Sequence, residues 1–184
     1  MFGEDVKLNN PAYIHPTAQI YGAVQVAEGA SIWPYAVIRS EVNEVVIGEN
    51  TNIQDFVMIH IGLSQGTYIG NHCSITHHCT LHGCKIGDNS LIGINTTIMD
   101  GCVVGDNCII AGHTYLKEGT IIPDNSIVAG SPGKVIKKKN SRINNRLNAI
   151  WYYENALAYA QGDPRRLSNQ DVLKEIEETV LGRK

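Results

Sequence analysis

An isoleucine, valine or leucine returns every six residues along most of this chain. The anchors fall at Ile14, Ile20, Val26, Ile32 and Ile38, then at Ile47, Ile53 and Ile59, then at Ile69, Ile75 and Leu81. A last unbroken run takes Ile86, Ile92, Ile98, Val104, Ile110, Leu116, Ile122 and Val128. Only three steps depart from six: nine residues from 38 to 47, ten from 59 to 69, and five from 81 to 86. The residue four places after an anchor is nearly always small or β-branched, as at Ala18, Val24, Ala30, Ala36, Val42, Thr51, Val57, Ser90, Thr96, Thr114, Thr120 and Ser126. Cys73, Cys79, Cys102 and Cys108 occupy the same slot, which predicts small buried fillers rather than ligands or redox pairs. A period of six matches neither a helix nor a plain alternating strand.

Hexapeptide periodicity is a β-helix signature. On these anchors the sequence resembles the hexapeptide-repeat family, which implies an all-β fold, a left-handed parallel β-helix with three hexapeptides per coil. The resemblance covers residues 11–136, and nineteen anchors make about six coils. Gly130-Ser131-Pro132-Gly133 ends the pattern, and a C-terminal segment, 137–184, follows. There Ile143, Leu147, Ile150, Trp151 and Leu157 predict a helix over 141–160. Gly162-Asp163-Pro164 breaks it, and Ser168 with Asp171 predicts a capping box opening a second helix over 168–181. That helix carries Val172, Leu173, Ile176 and Val180 on one face. Both helices are expected to pack along the prism. Lys137-Lys138-Lys139 reads as a solvated face.

Composition narrows the function. With 184 residues and a net charge of -3, the chain has no electrostatic footprint for nucleic acid or an anionic membrane. No apolar run approaches the roughly 20 residues of a membrane-spanning helix. The segment MFGEDVKLNNPAY lacks the basic and apolar regions of a signal peptide. Five cysteines without a CxxC pair favour neither a disulfide framework nor a zinc ribbon, and a reducing cytoplasm is expected.

Three hexapeptides per coil turn residue numbers into positions. Ile20, Ile38, Ile59, Leu81, Ile98 and Leu116 form one column, and Ile32, Ile53, Ile75, Ile92 and Ile110 another. All three irregular steps follow the Ile38–Ile59–Leu81 column, at one corner of the prism. The residues just after those anchors are Arg39, His60 and His82. Adjacent coils lie about 4.7–4.9 Å apart, so His60 and His82 can converge on one metal. Asp55 and His77 stack on the other column, with Gln54 beside Asp55. A single chain cannot easily bring His77 to His60 and His82, whereas a symmetric neighbour can, which predicts an obligate oligomer with a shared site. Three histidines leave tetrahedral zinc one open position for water, whose pKa then falls to about 7.

Arg39, the pair Gln54-Asp55, His60 and His77-x4-His82 resemble the γ-class carbonic anhydrase family. The resemblance implies a homotrimer hydrating CO2 to bicarbonate by a metal-bound hydroxide, a carbonate dehydratase. It implies zinc, with iron or cobalt as the other choices, held by His60 and His82 of one subunit and His77 of its neighbour. It gives Gln54 the role of orienting the water and pairs Asp55 with Arg39 across the interface; Asn52 also fits the pattern. Two features depart from it. Arg39-Ser40-Glu41 stands where relatives read Arg-Gly-Asp, and the loop Ile61 to Tyr68 has no acid for proton export. Two other readings stay open on the same fold: a coenzyme-A-dependent acyltransferase, and a catalytically silent metal-binding trimeric scaffold.

Overall fold

The computed structural model describes residues 3–182. Its body is the expected all-β, left-handed parallel β-helix, followed by two helices. Every column read from the sequence is a ladder of parallel strands in register. Ile38 pairs with Ile59, Ile59 with Leu81, Leu81 with Ile98, and Ile98 with Leu116. The second column pairs Ile14, Ile32, Ile53, Ile75, Ile92, Ile110 and Val128 in turn, so seven rungs stack along it. Strand pairing starts at Lys7–Leu8 and ends with Gly133–Lys138, which folds back antiparallel on Ser126–Gly130 and closes the second column.

The anchors form one continuous core. Ile20, Ile32, Ile38, Ile53, Ile59, Ile75, Leu81, Ile92, Ile98, Ile110 and Leu116 are fully buried. At about 25 cal/mol per Å² of apolar surface, each such side chain contributes roughly 1.5–3 kcal/mol. Cys73, Cys79, Cys102 and Cys108 fill the slot assigned to them, and Cys84, in the five-residue step, is buried as well; all five are free thiols. Burial pushes the Cys73 thiol up to about 12 and the Cys79 thiol up to about 11, so neither is a thiolate near neutrality. Val42 is the exception to the slot rule. It lies in the nine-residue step, stands 70% exposed, and leaves the buried place to Val45.

The corners need left-handed backbone. One carries Asn50, His72, Asn89, Asn107 and Asn125 at φ between 52 and 57°. The next carries Tyr35, Phe56, His78, Asn95 and His113, and its three rings Tyr35, Phe56 and His78 stack on one another. The third, where the irregular steps lie, uses Gly83, Gly101 and Gly119.

Helix α1 spans Arg142–Ala160 and α2 spans Gln170–Val180, with a short 3-10 turn over Arg166–Ser168 between them. The Ser168 capping box does not form. Ser168 ends the 3-10 turn, and Asn169 caps α2 by accepting from the Asp171 amide. The docking face of α1 also differs from the predicted stripe. Asn145, Ala149 and Ala156 are buried, while Ile143 is 54% exposed. Ile143 and Ile150 border a groove with Val180 of α2. The reason is spacing: a helical turn rises 5.4 Å and a coil about 4.8 Å, so each turn of α1 meets roughly one coil of a flat face. Small and polar side chains fit that contact. Asn145 donates to the carbonyls of Asn89 and Cys108, and Tyr152 and Tyr159 close on Trp33. No helix among the described residues is long and apolar enough to cross a membrane.

Candidate metal centre

The three irregular steps open a cavity of about 510 Å³ lined by Arg39, Glu41, Val42, His60, Ile61, Leu63, His82 and Asp100. Its two loops are tied together, because the Asn43 side-chain amide donates to the carbonyls of Gly62 and Leu63. Thr67 fixes the base of the longer loop by donating to the His60 carbonyl.

His60 and His82 are directly paired neighbours on adjacent strands, as the column reading expects. His60 Nδ1 and His82 Nε2 face each other at 3.1 Å. Their outer nitrogens each meet a carboxylate. Glu41 Oε2 lies 2.9 Å from His60 Nε2, and Asp100 Oδ1 lies 2.6 Å from His82 Nδ1. An ionised carboxylate only accepts, so each outer nitrogen carries its ring's proton. As neutral rings the two then turn their inner lone pairs toward each other, a donor pair that a cation can bridge. Two ligands of a tetrahedral zinc, at roughly 2.0–2.1 Å, stand about 3.3 Å apart. The observed 3.1 Å fits that donor set. Carboxylates behind ligating histidines are the usual support of such centres. Burial pushes the Glu41 carboxyl up, but its hydrogen bond with His60 and the charge of Arg39 outweigh this and hold it below its ordinary value.

Asp100 escaped the sequence reading. It follows Met99, one coil beyond His82, and leans back over two residues without side chains. A Cβ on Gly83 would sit 2.3 Å from Asp100 Oδ1, and one on Gly62 would sit 2.8 Å from it. The available signal was the glycine two places after Leu81 with an acid two places after Ile98.

His77 lies in the turn after the other column, two places beyond the Ile53–Ile75 rung, where Asp55 Oδ2 is 3.0 Å from its Nδ1. That leaves His77 Nε2 free to bind. Among the described residues of a single chain, no three His, Cys, Asp or Glu side chains converge on one metal position. Within the chain, Arg39 is engaged by Glu41 rather than by Asp55. Asn52 and Gln54 are both buried, and Gln54 Nε2 donates to Asn52 Oδ1 at 2.9 Å. Tyr152 of α1 has its hydroxyl pKa raised, first by burial and then by the nearby charge of Asp55.

Comparison with known proteins bears on the fold and the family. Residues 83–118 match the family model "Bacterial transferase hexapeptide (six repeats)". The Arabidopsis thaliana protein named "Gamma carbonic anhydrase 2, mitochondrial" is 31% identical over 106 residues, which covers 54% of this chain and 38% of that protein. A Methanocaldococcus jannaschii protein assigned as a carbonic anhydrase is 43% identical over 81 residues, 44% of this chain and 51% of that one. The matches thus span about half or less of these curated relatives. A solved hexapeptide transferase family protein from Anaplasma phagocytophilum is 31% identical, covers 88% of this chain and 95% of its own, and superposes with a TM-score of 0.76. The chain therefore belongs to the hexapeptide-repeat family, as a member similar to the γ-class carbonic anhydrases.

Proposed function

We propose that this protein hydrates CO2 to bicarbonate at a metal shared between the subunits of a homotrimer. The observation that carries the reading is the facing pair of ring nitrogens on His60 and His82, each ring backed by a carboxylate. His60 and His82 would hold the metal from one subunit and His77 from its neighbour, with zinc as the first choice and iron or cobalt as the others. A bound metal of this kind supplies Lewis acidity that brings water's pKa close to 7. Glu41 and Asp100 fix the tautomers of the two ligands, and Asp55 does the same for His77. Val42, Ile61 and Leu63 give the cavity an apolar wall that suits a small apolar gas. Gln54, next to Asp55 in the chain, would orient the reacting water. Arg39 fixes Glu41 within the subunit and is in reach of solvent, where a neighbour's Asp55 could meet it. Glu41, 49% exposed, gives the cavity the acid that the Ile61–Tyr68 loop lacks. Five buried free thiols suit a reducing compartment such as the cytoplasm.

Stopped-flow CO2 hydration on protein of known metal content tests the reading, beside His82→Ala. Hydration should rise with metal occupancy and be lost in the variant. Full occupancy without hydration above buffer would leave the scaffold reading.

A second reading draws on the transferase names carried by the matching family model and the Anaplasma relative. It expects saturable binding of coenzyme A, which calorimetry would register. Acyl transfer needs no facing pair of histidines, and this ranks hydration first.

A further inference from the structure

A buried chain of hydrogen bonds joins α1 to the candidate site. Asn148 Oδ1 accepts from Ser74 Oγ at 2.7 Å. Ser74 Oγ in turn accepts from Asn52 Nδ2 at 3.0 Å, and Asn52 Oδ1 accepts from Gln54 Nε2 at 2.9 Å. Ser74, Asn52 and Gln54 are each no more than 1% exposed.

The direction of this chain is fixed at Asn52. Asn52 Nδ2 also donates to the Cys73 carbonyl at 3.3 Å, and a carbonyl can only accept. Asn52 therefore turns its amide nitrogen inward and its oxygen toward Gln54. Ser74 has a single hydroxyl proton, and Asn148 Oδ1 takes it. The hydroxyl lone pairs then point at Asn52. Gln54 is left with its nitrogen committed and its carbonyl oxygen as the group it can offer. A carbonyl oxygen accepts a proton from water and so can aim a water's lone pair, which an amide nitrogen in the same place would not do.

We infer that Asn148 is a positioning residue that sets the orientation of the Gln54 amide through Ser74 and Asn52. Its role in turnover rests on the hydration reading; its role in orienting Gln54 does not. Asn148 is well suited to it. It lies one helical turn from Asn145, which locks α1 to the carbonyls of Asn89 and Cys108. The docking of α1 and the polarity of the Gln54 amide are thus one structural event.

The test follows the Gln54 side-chain amide by NMR in 15N-labelled full-length protein, assigned through its loss in Gln54→Glu. Asn148→Ala should shift that signal and speed its hydrogen exchange at least tenfold. Asn148→Asp, which keeps the accepting oxygen, should restore both. Ser74→Ala, which leaves α1 intact, should repeat the Asn148→Ala result. In hydration kinetics Asn148→Ala should lower kcat about three- to tenfold at unchanged KM and metal content, the size of one lost hydrogen bond, with rescue by Asn148→Asp. An unmoved Gln54 amide in Asn148→Ala overturns the inference, whatever happens to the rate. Wild-type protein that binds metal and hydrates nothing would sink the hydration reading, and the amide signal would still decide this one.

Discussion

Asp100 stands in place because Gly62 and Gly83 have no side chains, and that makes a glycine the most sensitive position near the histidines. Gly83→Ala puts a methyl group 2.3 Å from Asp100 Oδ1 on a backbone at φ +50°. The carboxylate must then leave His82. Losing such a supporting partner costs about 10–100-fold in metal affinity, which chelator competition would measure. His72 shows a second residue-scale effect. Its ring is half-buried at a left-handed corner with Nδ1 unpartnered. Burial first, then the charge of Arg146, lowers its pKa from 6.5 to about 4, with Asp88 opposing. Between those values the unfolded chain binds the proton and the folded one does not. Stability from this residue is therefore complete above pH 6.5 and lost as pH falls toward 4. His72→Asn places there the residue that Asn50, Asn89, Asn107 and Asn125 supply on other coils. It should flatten the fall in thermal midpoint between pH 7 and 5. The sequence made the histidine columns legible, since register follows from counting. Asp100 was hidden because it acts across a coil boundary through space left by glycines.

At the scale of elements, the anchor rule separates neighbours of identical type. Ile122 is 3% exposed and Ile121 is 64% exposed. Ile122→Ala should cost about 2–5 kcal/mol, whereas Ile121→Ala should stay within about 0.5 kcal/mol, as read from denaturant unfolding. Strands were readable to the residue because each anchor sees the same environment on every coil. The helices were readable only as helices. An apolar stripe was expected to face the prism, but a flat β-face presents carbonyls and small side chains, and Asn145, Asn148 and Ala149 meet it better. Ile143 and Ile150 are left to the groove beside α2. Nor could periodicity reveal that Asn52 and Gln54 continue into Ser74 and α1, since that chain depends on which helical face docks.

For the whole molecule, a shared centre makes a specific arithmetic claim. His77→Ala and His82→Ala subunits each lack one side of every site, so neither homotrimer should hydrate CO2. Mixed by unfolding and refolding at equal amounts, a site is intact only where a subunit keeping His82 meets a neighbour keeping His77. Random assembly gives that arrangement about one time in four, so activity should return to about a quarter of wild type. No recovery in mixed trimers confirmed by mass would show that the centre is not shared. The division of the histidines between two columns was countable from the sequence, because His77 and His82 lie on different faces despite lying five residues apart.

The reversed strand Gly133–Lys138 has a further consequence. Every other rung of its column runs parallel and could in principle accept one more, as the end of a fibre does. The final strand turns the direction round and sets Lys134 and Lys137 on the outermost edge, while Lys138 reaches back to Asp124 and Ser126. Opposed polarity and repelling cations make a poor template for another chain. The lysine run that reads as a solvated face is thereby a chain terminator in the polymer sense. Lys134→Thr with Lys137→Val should leave the circular dichroism of fresh protein unchanged, yet produce growing light scattering and dye-binding fibrils on standing.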